Sequence, residues 1–320
     1  LRRRASFSTF RAMLIAQVTR RLREMDWDPM HWLRLALLIS GKALTRLWGR
    51  DVMLYVGGVS FFVMLAVFPA LAITIGVYGL LADPSAAARQ AEQLATMMPA
   101  GARSLFTSEL TRLAHAPFQV VSTQSGVALV IGGYAAHRGF KALLAGLSFI
   151  HDEDAPRGFV GFNVMALIVL VAAFAMLGFL SVVFFYFRFV AAAFDLKPLA
   201  GVTWLYSEWT WASVGVTVAM TLIYRFAMSS VPVAWRASII GGIAAAFLCL
   251  GASWASAIYV EQIASLGATY GSVAAVVVFL IWLSWNVNAV FLGGALATEI
   301  EILLLERRPA RRLLTDQRKP

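Results

Sequence analysis

The sequence predicts an all-α integral membrane protein with six transmembrane helices and amphipathic helices in the N-terminal arm and first outer loop. Three observations predict it. Segments 52–82, 120–136, 159–187, 209–223, 237–260 and 272–297 are nearly free of charge. A helix needs about 20 mostly apolar residues to cross a bilayer core; four of these segments reach that length, and 120–136 and 209–223 reach it with adjoining semi-polar residues. The composition, 60% hydrophobic and 14% charged with a mean hydropathy of +0.75, lies outside the globular range of about 45–50% apolar and 25% charged. Finally, the net charge of +10 is concentrated at the two ends, from Arg2 to Arg50 and from Arg307 to Lys319. Short basic flanks stay on the cytoplasmic side. An even number of spans puts both ends there, so charge and span count agree.

Residues 1–50 form a basic cytoplasmic arm. Between Met30 and Trp48 apolar Leu33, Leu37 and Leu44 alternate at helical spacing with Arg34, Lys42 and Arg46. This is the pattern of a helix lying on the inner leaflet, or equally of one packed on the bundle. Residues 51–301 form the membrane domain. Its first span carries Gly57 and Gly58, small enough for close helix contact, then Ser60, and then Pro69. Proline removes a backbone donor and clashes with the preceding turn, so a hinge or packing kink is expected there. Asp83-Pro84-Ser85 ends the span. Residues 86–115 follow, with apolar Leu94, Met97, Met98, Leu105 and Leu110 among balanced charges, broken at Pro99. They read as two amphipathic helices on the outer face.

After the second span, 137–158 is read as a charged cytoplasmic loop containing Arg138, Lys141 and the run His151-Asp152-Glu153-Asp154. Contiguous ligands point in different directions, so the run is read as a solvated loop and no metal is assigned. The third span carries Asn163 and ends at Arg188; Trp204, Trp209 and Trp211 flank the fourth as an interfacial belt. A turn around Pro232 leads to the fifth span, opened by Gly241 and Gly242. The sixth begins at Tyr270-Gly271 and contains Trp282, Asn286 and Asn288, then Gly293 and Gly294. Glycines of this kind let helix backbones approach. Residues 302–320 form a basic cytoplasmic tail. The single cysteine, Cys249, reads as a small packing residue.

Tyr259-Val260, Tyr270-Gly271-Ser272, Trp282-Leu283 and Gly293-Gly294-Ala295-Leu296-Ala297-Thr298-Glu299-Ile300-Glu301, in that order, resemble the C-terminal signature of the YihY/BrkB family of inner-membrane proteins. Ser60-Phe61-Phe62 with Phe68-Pro69 resembles its first span, and Tyr224-Arg225, Trp235-Arg236 and Gly241-Gly242 its fourth-to-fifth connection. Ala295 and Ala297 stand where the family favours Glu and Asn, leaving Glu299 and Glu301. The resemblance implies a bacterial inner (plasma) membrane protein. Family-level suggestions concern transport or handling of envelope lipids.

No catalytic, cofactor or metal site is expected, and no enzyme activity: the four histidines are scattered, and no phosphate loop or zinc spacing is present. A transporter or lipid-handling protein is the leading expectation. Ser60 and one of Asn286 or Asn288 should line a pathway shaped by Tyr270, Gly271 and Trp282 and hinged at Pro69, because polar groups in hydrocarbon turn to the bundle interior or to water. A non-transporting scaffold recruiting envelope proteins is the alternative. The expected partners are membrane lipids, with anionic head groups drawn to the basic tails, and not nucleic acid.

Overall fold

The computed structural model describes residues 29–48, 51–81, 103, 107–108, 118–152, 158–193, 207–260 and 273–316. Seven α-helices carry them: α1 (Pro29–Trp48), α2 (Met53–Leu81), α3 (Phe118–Ile150), α4 (Phe159–Ala193), α5 (Glu208–Leu222), α6 (Trp235–Ile258) and α7 (Ala274–Asp316). Among the described residues there is no strand. The expected outer helices at 86–115 lie outside the described residues except for helical Arg103, Thr107 and Ser108.

The chain divides into two units, at Lys42 and Ala43. The first is described here only as the helical stretch from Pro29 to Lys42, on which Leu33, Leu37 and Leu38 are exposed. The second begins earlier than the expected boundary at residue 51. The reason is that Ala43 and Leu47, on the last turns of α1, are buried with Val52, Val56, Leu147 and Phe291. Asp51 links α1 to α2 with φ of 51°, a left-handed conformation that Asp tolerates better than most side chains.

Within the second unit, α2 and α3 form one antiparallel pair. Tyr55 lies beside Gly146, Gly58 beside Ala142, Phe62 beside Gly139 and Pro69 beside Gly132. α6 and α7 form another, with Gly241 at Ala297 and Gly293, and Ser253 at Asn286 and Trp282. α5 packs on α6, and α7 touches α2 and α3. The main core lies toward the end of the bundle where α3 finishes and α6 starts. A smaller one, Val278, Phe279 and Leu283 against Val63, Met64 and Val67, lies farther along α2 and α7.

Three boundaries differ from the sequence expectation. α3 runs unbroken to Ile150, so Arg138 and Lys141 are helical rather than in a loop; the run from Ala135 to Ile150 has no proline and is rich in Ala and Leu, which favour helix. α7 continues to Asp316, so the described part of the basic tail, 302–316, is helical and continuous with the last helix. α5 passes into a π-helical turn, Ile223–Ala227, giving 20 continuous helical residues from Glu208.

Three described helices are long and apolar enough to cross a bilayer by themselves: Phe159–Val190, Trp235–Ile258 and Ala274–Glu306. The most apolar window of the first is only 11% buried, and α4 exposes Phe174, Leu177, Phe179, Val182 and Phe189. An apolar surface of that extent needs a bilayer to cover it. The protein is a membrane protein.

Candidate functional site

At one end of the bundle a charged knot joins α1, α3, α6 and α7. The Arg46 guanidinium donates through Nε to Glu299 Oε1 at 2.8 Å, and its Nη2 lies 2.8 Å from the same oxygen. Nη1 donates to the Ile150 carbonyl at 3.0 Å and to Asp152 Oδ2 at 2.6 Å. Ile150 ends α3, so its carbonyl lacks a helical partner, and a cation there is also favoured by the negative end of the helix dipole. Asp152 turns back toward Arg46 through a left-handed backbone, φ 55°. Arg46 therefore faces inward, where the amphipathic pattern of α1 left open a helix on the inner leaflet or one packed on the bundle. Its side chain is 13% exposed and that of Glu299 is 8% exposed.

Two residues beyond Glu299, Glu301 Oε1 accepts from the Ala234 N–H at the start of α6, 3.0 Å, where a carboxylate meets the positive end of a helix. His151 lies between these groups. Thr298 Oγ1 lies 3.1 Å from the Gly294 carbonyl oxygen, to which it donates, and 3.1 Å from His151 Nδ1. His151 Nε2 faces Glu301 Oε2 at 3.6 Å. Of the His-Asp-Glu-Asp run, the first two members are thus structural ties; Glu153 and Asp154 lie outside the described residues.

Farther along α7, small polar groups bond on two faces. On one, Ser284 Oγ donates to buried Ser60 Oγ at 3.4 Å, and Asn288 Nδ2 donates to the Ser284 carbonyl at 2.9 Å. On the other, Ser253 Oγ donates to Asn286 Oδ1 at 3.2 Å and accepts from Trp282 Nε1 at 3.2 Å, while Asn286 Nδ2 donates to the Trp282 carbonyl. Trp282 also stacks on Phe279, with centroids 5.7 Å apart. The two-residue spacing of the asparagines sends them different ways: Asn286 bonds Ser253 on α6, and Asn288 bonds back to the Ser284 carbonyl of α7, on the side of Ser60. Tyr270 and Gly271 lie outside the described residues. α2 continues as one helix through Pro69, whose ring rests against Gly132: a Cβ on that glycine would fall 2.6 Å from Pro69 Cβ.

A seam of glycines holds α5, α6 and α7 together. A Cβ at Gly241 would lie 2.8 Å from the Gly293 carbonyl oxygen, and one at Gly242 would lie 2.9 Å from the Thr217 carbonyl oxygen. Into this seam the π turn inserts Tyr224, fully buried, which donates to the Val290 carbonyl at 2.6 Å and touches Gly293 and Gly294. Tyr224 carries no local signal of this role; only the turn's extra residue swings it inward. Gly57 and Gly58 do not supply the close contact expected of them. A Cβ at Gly57 meets nothing within 4 Å, and one at Gly58 meets only Ala142 Cβ at 3.9 Å, because α2 approaches α3 through glycines on α3 instead. After the seam, Val233 N–H donates to the Arg225 carbonyl at 3.1 Å. The Arg225 guanidinium, which donates to the Val233 carbonyl, lies 4.9 Å from the Trp235 ring.

The elements of this arrangement, a glycine seam, an inward tyrosine before a basic turn, and paired glutamates closing the last span, lie within the stretch 43–316, which matches the family described as virulence factor BrkB. The chain belongs to the BrkB family. The match starts at the residue where the second unit begins, and it covers the whole knot from Arg46 to Glu301. No curated protein and no solved structure gives a significant match. In this BrkB-family chain the two departures at 295 and 297 are fully buried alanines, and Ala297 Cβ faces Gly241 across the seam. A longer side chain at 297 would separate α6 from α7.

Proposed function

We propose that this BrkB-family protein is an inner-membrane transporter or lipid-handling protein that moves amphiphiles, with six spans and both ends in the cytoplasm. The observation that carries this reading is the two-faced line of uncharged hydroxyl and amide groups on α7 between α2 and α6, within helices that carry no carboxylate before Glu299. Such groups suit an amphiphile passing between helices, whereas an ion pump uses deep charges. The remaining spans are supplied by α2, α3 and α5 with its π turn. The basic ends, closed by the knot of Arg46 and Glu299, take the cytoplasmic side by the positive-inside bias. No chemical step is assigned to any residue.

Reconstitution tests the function. Purified protein in liposomes should speed the movement of a fluorescent phospholipid between leaflets, measured by dithionite quenching, or release an entrapped solute. Stable capture of envelope proteins with no flux above empty liposomes would replace transport by a scaffold. Topology has its own test. Single cysteines at Ser6 and Thr315, in a chain lacking Cys249, should label with an impermeant maleimide only after the cells are opened. Labelling in intact cells overturns the orientation.

A further inference from the structure

Among the described residues, no carboxylate is paired with Arg138 or Lys141. On α3 they stand three residues apart, hence on neighbouring positions of one side of the helix. The helix pairs with α2 so that Gly139 meets Phe62 and Ala142 meets Gly58, which sets both cations level with residues 58–63 of α2. That level is about 8–15 Å along α2 from Met53, at 1.5 Å per residue, with most of the apolar helix still ahead of it. α2, α3 and α4 contain no Asp or Glu at all.

The described neighbours of the two cations are neutral. Exposed Arg138 lies 5.6 Å from the Phe62 ring and 6.0 Å from the Tyr134 ring. Lys141 donates one bond to Asn163 Oδ1 at 2.9 Å and sits 5.0 Å from the ring of Phe159, leaving two of its three protons unassigned to any group among the described residues. Tyr134 is 60% exposed and Phe159 is 81% exposed, on helices that also expose Val130 and Val160. Two cations on a lipid-facing aromatic bed are costly unless an anion meets them.

We propose that Arg138 and Lys141, framed by Tyr134, Phe62 and Phe159, bind the phosphate of an anionic phospholipid at the outward face of α2, α3 and α4. The guanidinium fork takes two phosphate oxygens, the ammonium acts as a point charge beside it, and the acyl chains lie along the aliphatic surface. A zwitterionic head group brings its own cation to a site that already holds two. The occupant is a membrane lipid and not free phosphate, because the surface around the cations is apolar. The site rests on the reading of this chain as lipid-contacting, not on transport.

Delipidated full-length protein in detergent, titrated with dioleoylphosphatidylglycerol and followed by native mass spectrometry, tests this. Parallel titrations use dioleoylphosphatidylcholine and inorganic phosphate. A fluorescence-based titration in 0.5 M salt screens the exposed basic ends. The expected result is preferential retention of the anionic lipid. Arg138→Gln with Lys141→Gln should weaken it about tenfold, and Arg138→Lys with Lys141→Arg should keep most of it. Arg138→Gln alone, at an exposed position, should fold as the parent does and still lose part of the affinity. Unchanged affinity in the Gln variants, equal binding of the choline lipid, or displacement by equimolar inorganic phosphate overturns the site. Loss of flux in liposomes with this binding intact removes the transport reading and leaves the site standing.

Discussion

Arg46→Met should destabilise the membrane domain by about 3–5 kcal/mol, the usual cost of leaving one member of a buried ion pair without its partner. Glu299 would keep its charge in a place that is 8% exposed, with Arg46 Nε and Nη2 gone from Oε1. The Ile150 carbonyl at the end of α3 would lose its donor as well. The contact to Asp152 matters less, because that carboxylate is half exposed and water can replace the cation. Reversible unfolding in mixed SDS and detergent micelles measures the loss. The double variant Arg46→Met with Glu299→Met should recover most of it, since two apolar groups of similar length then fill the space and no charge is stranded. A single variant within about 0.5 kcal/mol of the parent would show that Glu299 is neutral or solvated, and would remove the knot as the tie between α1 and α7.

Gly242→Val should be as damaging, for a steric reason. A Cβ there meets Thr217 O and Thr221 N at 2.9 Å, with the Thr221 hydroxyl closer still. Two of these atoms are backbone of α5, so relief requires α5 to move off α6. Overpacking of well-fitted cores costs about 1–3 kcal/mol, and a rigid obstacle on one side places this site at the upper end or beyond. The comparison is Gly57→Val, where nothing lies within 4 Å, and for which a change within about 0.5 kcal/mol is expected. Both are read from the same unfolding titration and from the yield of monodisperse protein. Equal tolerance at 242 and 57 would mean that α5 and α6 do not meet through this glycine.

The contrast between these two glycines shows what local sequence conveys. Gly57-Gly58 and Gly241-Gly242 are the same dipeptide in equally apolar surroundings, yet only the second lies in a helix contact that excludes a side chain. A helix that is apolar all round has no polar side to set its rotation. The choice falls to the partner: α3 brings Gly132, Gly139 and Gly146 to α2, and so spares α2 its own glycines. The asparagines behave similarly. Their spacing shows that Asn286 and Asn288 diverge, but not that Ser253 and Trp282 wait for one while the carbonyl of Ser284, the residue bonded to Ser60, takes the other.

Sequence by itself determined that the chain is helical, that it belongs in a membrane, and that its family signature runs through the last span. Each follows from properties that add along the chain: apolar length, the lack of the period-two alternation of a strand, and the order of short motifs. Tertiary structure alone decided the inward turn of Arg46, the burial of Tyr224 and the position of Arg138 and Lys141, which no carboxylate meets among the described residues. Arg46 meets Glu299 across 253 residues of sequence, and no local pattern encodes such a partner. Tyr224 owes its direction to one extra residue in a turn, and the two cations owe their depth to the register of α2 against α3. Charge is legible in a sequence, but its cost depends on what surrounds it, and that is fixed only when the helices are packed.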